Sequence, residues 1–158
     1  MGTSRSPDKL ERAKALGLDI GIDSSRGDWP AEVGAALGGP RVNAVMDLVG
    51  GNYLEGNLRV LALRGRIVVI GLTAGITTPL NMGSLLRKRA TIVGTTLRAR
   101  PLEEKIVLAR EFSDRIVGFF DSGRLQPIVD RVMPFYEIRD AHELMESNRT
   151  FGKIVLSW

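Results

Sequence analysis

Short apolar runs alternate with helical stripes of apolar residues along this chain, and the alternation predicts an α/β fold. The clearest run is Ile67–Ile70, four consecutive β-branched residues. Such a run is typical of a strand buried on both faces of a parallel sheet. Arg64-Gly65 predicts the turn into this strand, and a Gly/Thr-rich loop follows it from Gly71. Because ligands of open α/β sheets bind beyond the carboxyl ends of the strands, this loop lies where a ligand is expected.

The rest of the pattern predicts alternating helices and strands. Predicted helices cover 7–16, 29–37, 54–61, 82–89 and 101–122, and predicted strands cover 19–23, 42–49, 67–70 and 90–97. This order predicts right-handed βαβ units on a parallel sheet. A strand, a helix and a strand are then predicted at 128–133, 138–147 and 153–158. Only Met1–Thr3 precedes the first helix, and no G-x-G-x-x-G follows a strand, so we expect a fragment that starts partway through its second βα unit.

Composition narrows the class of protein. With 158 residues, 44% hydrophobic and 25% charged, the chain has the size and composition of about one ordinary globular domain. No apolar run could span a membrane, and no signal peptide is visible. The absence of cysteine excludes disulfides and thiolate zinc sites, so we predict a cytoplasmic protein without a metal. A net charge of +4 permits a nucleic-acid or phosphate partner without requiring one.

A basic cluster lies at the start of the first predicted helix. Arg5 and Lys9 stand where the helix dipole disfavours cations, an arrangement that makes sense if a phosphate docks there. No acidic residue stands at the preceding strand end to bind a ribose hydroxyl, which favours NADP over NAD. The competing interpretation is a solvated basic helix start with no ligand.

Asp47–Gly51 forms a second candidate. A carboxylate near a strand end followed by two glycines permits close backbone approach to a ligand. Taken alone, this stretch is better explained as a tight strand-to-helix turn. Together with Gly71–Gly75 it predicts a shared crevice. The single histidine, His142, has no pattern that marks it as a catalytic base, and the catalytic residues stay unknown.

Four segments resemble one family, in the same order and spacing over nearly the whole chain. They are DLVGGNYLEGNLRVLALRGRIVVIGL, LLRKRATIVGTTLRARPLEEK, SGRLQPIVDRVMPF and AHELMESNRTFGKIVLSW. They look like the quinone oxidoreductase, or zeta-crystallin-like, branch of the zinc-independent medium-chain dehydrogenase/reductases.

The resemblance implies a Rossmann-type parallel sheet with flanking helices that lacks its first strand. Residues 1–125 would be a partial NADP-binding domain. Residues 126–158 would form a strand-helix-strand segment that returns to a GroES-like catalytic domain. In the implied strand order 3-2-1-4-5-6 the missing strand is central.

The resemblance also implies site residues. Lys9, flanked by Ser4 and Arg5, stands where members bind the NADP 2′-phosphate. Ser24 replaces a tyrosine that members often place near the adenosine phosphate. The other implied cofactor-binding positions lie at strand ends and near the carboxyl terminus: Val49, Gly50, Gly71, Leu72, Thr73, Leu97, Arg98 and Asn148.

The implied reaction is hydride transfer from NADPH to a quinone or enone, with the isolated chain expected to be inactive. Members of the family form homodimers through the edge strand that corresponds to residues 90–97 of this chain. The resemblance therefore implies a homodimer through 90–97 here. Two alternatives stay open: a basic RNA-binding protein, which the scattered charges do not favour, and a dimerisation module without catalysis.

Overall fold

Three small parallel sheets with flanking helices make up the chain in the computed structural model, which describes all 158 residues. The strands are β1 (Gly2–Ser4), β2 (Gly21–Asp23), β3 (Val42–Asp47), β4 (Leu61–Val69), β5 (Thr91–Gly94), β6 (Val129–Pro134) and β7 (Lys153–Ser157). The helices are α1 (Pro7–Ala15), α2 (Trp29–Leu37), α3 (Tyr53–Val60), α4 (Met82–Lys88), α5 (Leu102–Phe112), α6 (Gly118–Asp121) and α7 (Ile138–Glu146). The predicted α/β class with parallel strands is confirmed.

The chain divides into two compact units, Met1–Ala99 and Arg100–Trp158. The first unit carries β1 to β5 and α1 to α4, and the second carries the remaining elements. The predicted assignment of 1–125 to a cofactor domain and 126–158 to a catalytic domain is a functional one, and it stays a prediction.

Within the first unit, the strands form two separate sheets. One pairs β1 with β2, and the other has the order β3-β4-β5, all parallel. The register places Asp47 of β3 beside Val69 of β4, and Val69 beside Gly94 of β5. The carboxyl ends of these three strands therefore meet at one edge of the sheet.

Strand β4 begins earlier than the sequence predicts. Leu61 already pairs with Val42, and the register then shifts so that Arg66 pairs with Ala44. The extra residues of β4 form an irregularity in which Arg64 has a φ of 60°. The sequence signal for a turn at Arg64-Gly65 thus corresponds to a bulge inside a strand.

Two apolar clusters hold the first unit together. Ile22 of β2, Val33 of α2 and Val60 of α3 form one, which ties the two-stranded sheet to its helices. Leu58, Leu61 and Ile67 form the other, beneath the three-stranded sheet. Each is buried because its residues recur on the helix-facing side of their elements.

The opposite face of the three-stranded sheet is uncovered. Met46, Val68 and Val93 lie side by side in register on this face, and Met46 and Val93 are 75% and 41% exposed. Ile67, on the helix-facing side, is fully buried. The expectation that Ile67–Ile70 is buried on both faces is therefore wrong for this chain, because no element packs on the second face within the first unit.

Contacts between α2 and α3 join the two sheets of the first unit. Asp28, at the start of α2, accepts two hydrogen bonds from the Arg59 guanidinium, at 2.7 and 2.8 Å. These bonds lower the pKa of the Asp28 carboxyl and raise the pKa of Arg59. Trp29 stacks on Tyr53 with ring centroids 5.4 Å apart. Gly56 is required in α3, since a Cβ there would lie 3.0 Å from Pro30 and against the Trp29 ring.

In the second unit, β6 and β7 pair in parallel and α7 connects them. The Phe151 N–H donates to Asp130 Oδ1 at 2.8 Å and fixes the turn into β7. The long helix predicted over 101–122 is present as continuous helical backbone over 102–121, but it contains a π-helical turn at Ser113–Val117, between α5 and α6. The apolar face of α5 is exposed, and Leu102 on this helix is 67% exposed. None of the helices in the chain has the length and apolar character needed to cross a membrane.

Candidate functional site

The buried carboxylate of Asp47 organises the turn at the end of β3. Asp47 is 4% exposed and lies at the last position of the strand. Its Oδ1 accepts hydrogen bonds from the Val49 and Gly50 N–H groups, both at 2.8 Å. Its Oδ2 accepts from Asn57 Nδ2 of α3 at 2.9 Å. A carboxylate with three donors is well satisfied when buried, so Asp47 serves the geometry of the turn.

The loops after β3 and β4 are joined by backbone hydrogen bonds. The Ile70 and Gly71 N–H groups donate to the Asp47 carbonyl at 2.8 and 3.1 Å. The Ala74 N–H donates to the Val49 carbonyl at 2.9 Å. Asp47–Gly51 and Gly71–Gly75 therefore form one continuous loop surface at the carboxyl edge of the sheet.

Glycine is needed where these loops touch. A Cβ on Gly50 would lie 2.8 Å from the Gly71 carbonyl oxygen, and Gly50 has a φ of 66°. A Cβ on Gly51 would meet the Ala74 backbone, and one on Gly71 would meet the Leu48 backbone. The glycines allow the two loops to approach, with Gly50 and Gly51 buried and Leu72 and Thr73 exposed beside them.

The basic cluster lies at the end of β1 and the start of α1. Ser4 Oγ accepts a hydrogen bond from the Ser6 N–H at 3.1 Å, which shapes the turn into the helix. Arg5 is exposed and Lys9 is half-buried on the first turn. Met1–Thr3 and Asp47–Val49 line one cavity of about 640 Å³, but Arg5 and Lys9 are not among its lining residues. The basic cluster and the loop surface belong to the same unit.

Ser24 has a partner that the sequence did not suggest. The Tyr53 hydroxyl donates to Ser24 Oγ at 2.9 Å, across 29 residues of chain. Tyr53 also lines the 640 Å³ cavity and stacks on Trp29. An aromatic residue at the start of a helix gives no local sign of such a contact, so only the packing of α2 against α3 reveals it.

The remaining predicted positions lie apart from the two loops in sequence. Leu97 and Arg98 are exposed and follow β5, whose end is tied to β4 by the Thr95 N–H bond to the Val69 carbonyl at 3.0 Å. Asn148 follows α7 in the second unit and has a φ of 55°. Its cofactor role stays a prediction.

Metal and cofactor chemistry can be tested against the side chains present. No group of three or more His, Asp or Glu residues could hold a metal ion, and the chain has no cysteine. The donors of a zinc site are therefore not found among these residues. A dinucleotide fits better, because the joined loops after β3 and β4, with Leu72 and Thr73 exposed, lie at the carboxyl edge of the sheet, where ligands of open α/β sheets bind.

The fold and the site define a dehydrogenase-type α/β nucleotide-binding region. A family model described as zinc-binding dehydrogenase matches residues 16–156. The chain belongs to this zinc-binding dehydrogenase family, and its predicted membership in the medium-chain dehydrogenase/reductases is confirmed.

Individual relatives agree with this assignment. The chain is 31% identical to quinone oxidoreductase-like protein 2 of Bos taurus, over 96% of this chain and 43% of that protein. The crystal structure of an NAD-dependent alcohol dehydrogenase matches with a TM-score of 0.80 and 33% identity, over 99% of this chain and 43% of that one. A quinone oxidoreductase of Pseudomonas syringae pv. Tomato DC3000 matches with a TM-score of 0.77 and 26% identity, over 98% of this chain and 47% of that one.

The chain spans less than half the length of these relatives. Their names describe oxidoreductases, and they lend no support to the RNA-binding alternative.

Proposed function

We propose that this chain is the NADP(H)-binding part of a quinone or enone oxidoreductase, inactive in isolation. The observation that carries the proposal is the joined loop surface of Asp47–Gly51 and Gly71–Gly75, which lies in the same unit as Arg5 and Lys9. Membership in a dehydrogenase family and the similarity to the bovine quinone oxidoreductase-like protein support it.

Each group has a proposed role in binding. Lys9 and Arg5 pair with the 2′-phosphate of NADP(H), with Ser4 beside them and Ser24 near the adenosine end. Val49 and Gly50 form the turn against which the dinucleotide lies, whereas Gly71, Leu72 and Thr73 lie along the nicotinamide. Leu97, Arg98 and Asn148 complete the nicotinamide end.

The bound nicotinamide supplies the hydride, and the protein positions the ring and excludes water. No residue of this chain is an obvious general acid for a quinone or enone substrate, which agrees with a reaction that depends on positioning or with an acid outside these 158 residues. Residues 1–125 and 126–158 are proposed as parts of the cofactor and catalytic domains. A zinc-independent reaction and a cytoplasmic location stay predictions from composition.

Nucleotide preference tests the phosphate contact. We expect weak binding of NADPH to the chain, tighter than that of NADH, measured by nucleotide fluorescence. Lys9→Glu should weaken NADPH binding by roughly tenfold, because a charged hydrogen bond is replaced by repulsion, and should leave NADH unchanged. Lys153→Glu, an exposed lysine in β7, is the matched control. Equal affinities for the two nucleotides, or tighter binding of NADH, which the name of the NAD-dependent structural relative would suggest, contradict the assignment of NADP.

A homodimer through residues 90–97 is also proposed. β5 is the outer strand of its sheet, and the Thr95 N–H points to β4, so the alternating backbone groups of Ile92 and Gly94 point outward. Gly94→Pro removes one outward donor without touching the β4 ladder, and a Cβ there meets nothing within 4 Å. Sedimentation should show a dimer for the native chain and a monomer for this variant. A native monomer at all concentrations would rule the proposal out.

A further inference from the structure

We propose that the amino edge of the three-stranded sheet binds a condensed phosphate, that is, a small anion with two or more linked phosphate groups. Four exposed arginines form the site, and we call them the arginine edge: Arg41, Arg64, Arg66 and Arg89. The dinucleotide is proposed to bind at the carboxyl edge, which is the other end of the same strands. The inference therefore does not depend on the proposed function.

The sheet register brings the four arginines together. Arg66 of β4 pairs with Ala44 of β3 and with Thr91 of β5, which is the first row that all three strands share. The other three arginines lie two or three residues before this row, one on each strand: Arg41, Arg64 and Arg89. Because neighbouring strands lie about 4.8 Å apart, the backbone that carries the arginine edge spans about 10 Å.

No carboxylate pairs with the arginine edge. None of its guanidinium groups has a hydrogen-bond or ion-pair partner in the structure. No Asp or Glu occurs between Glu55 and Glu103, a stretch that contains β4, α4 and β5. The carboxylate of β3 is Asp47, which is buried at the opposite end of the strand. Like charges gathered on one edge repel one another, so a bound anion removes a repulsion that the folded chain otherwise keeps.

Helix dipoles do not account for these arginines. A cation at the carboxyl end of a helix is favoured when it lies against the last carbonyl groups. Lys88 has this role, because its Nζ donates to the Arg59 carbonyl at 2.9 Å and also to the Leu61 carbonyl, at the end of α3. The arginine edge makes no such bond, so its guanidinium groups are available to a ligand.

Two of the arginines hold a backbone conformation that glycine adopts more easily. Arg64 has a φ of 60° and Arg89 a φ of 49°, both in the left-handed region. A side chain with a Cβ is disfavoured there. Backbone strain at two side chains that pair with nothing else in the chain indicates a role other than folding.

The side-chain chemistry selects a condensed phosphate. A guanidinium is planar, always charged, and binds phosphate oxygens through two parallel hydrogen bonds. An extended acidic peptide presents a carboxylate on one face only about every 6.6 Å, which is wider than the strand spacing of about 4.8 Å. Nucleic-acid bases would find no stacking surface, because no aromatic residue occurs in β3, β4, α4 or β5.

Titration calorimetry with sodium tripolyphosphate tests the site. We expect one-to-one binding at low ionic strength that weakens as salt is added, because exposed charges are screened. Orthophosphate, with a single phosphate group, should bind at least about tenfold more weakly, since it loses charged contacts. In the chain labelled with nitrogen-15, tripolyphosphate should shift the amide signals of residues 41, 64–66 and 89. Shifts confined to Arg5, Lys9 or the loops after β3 and β4 would overturn the proposal.

The double variant Arg64→Gly, Arg89→Gly separates binding from folding. It should bind tripolyphosphate at least about tenfold more weakly, because two charged contacts are lost. Its urea midpoint should be unchanged or higher, because glycine accepts the left-handed backbone. The double variant Arg110→Ala, Arg139→Ala removes the same charge from exposed positions of α5 and α7, so it is the control and should bind like the native chain.

Three results would contradict the site. The glycine variant could keep its affinity or the control could lose as much, and net charge would then explain the binding. A lower urea midpoint of the glycine variant would give the two arginines a structural role. Tighter binding of a thymidine oligonucleotide, or of phosphatidylglycerol vesicles, at equal phosphate concentration would make nucleic acid or a membrane the partner in place of a condensed phosphate.

Discussion

Asp47 shows how one buried carboxylate can fix the geometry of a loop. Its two oxygens accept from two backbone N–H groups and from Asn57, which reaches across from α3. From the sequence, a carboxylate before two glycines could equally be a ligand contact or a turn residue. The structure shows that Asp47 holds the turn.

Replacing Asp47 should destabilise the chain. Asp47→Ala leaves the Val49 and Gly50 N–H groups and the Asn57 amide without their acceptor in a buried site, at a cost of about 2–3 kcal/mol. Urea unfolding measures the loss. Asp19→Ala, at an exposed position, is the control and should change stability by less than about 0.5 kcal/mol. A similar effect of both substitutions would mean that the Asp47 network contributes little.

At the scale of elements, the loops after β3 and β4 work as a pair because glycines let their backbones touch. Gly71 permits this close approach, because a Cβ added there would meet the Leu48 backbone. Gly34, by contrast, lies inside α2 with open space around it. The same substitution should therefore have opposite effects at the two positions.

Gly71→Ala should lower stability by about 1–3 kcal/mol, because the loops must separate to admit the methyl group. Gly34→Ala should raise it by about 0.5–1 kcal/mol, because alanine loses less entropy in a helix. Thermal and urea unfolding of the two variants give the comparison. Stabilisation by both would show that the loops yield without cost and are not a fixed surface.

The sequence predicted helices, strands and loops well where neighbouring residues alone determine their ends. The strand predicted at 42–49 appears as Val42–Asp47, a loop follows Ile70, and the first helix starts at Pro7, whose ring fixes a helical φ although Ser6 makes no side-chain cap hydrogen bond. The bulge at Arg64 and the π-helical turn at Ser113–Val117 were missed, since neither changes the apolar period enough to show.

At the scale of the whole molecule, burial was the least predictable property. Met46 and Leu102 follow apolar patterns typical of a core, yet both are exposed in this chain. Periodicity predicts which face of an element is apolar, but it does not predict whether another element covers that face. The contact of Tyr53 with Ser24 was out of reach for the same reason, because it depends on long-range packing.

The phosphorylated-dinucleotide site is the central claim, and amide nuclear magnetic resonance tests it most directly. The chain, labelled with nitrogen-15, would be titrated with NADPH and separately with NADH, so that even weak binding is detected. The account predicts shifts at Val49, Gly50 and Gly71–Thr73 with both nucleotides, and shifts at Arg5 and Lys9 with NADPH alone. Shifts confined to other parts of the chain, or none at the two loops with either nucleotide, would contradict it.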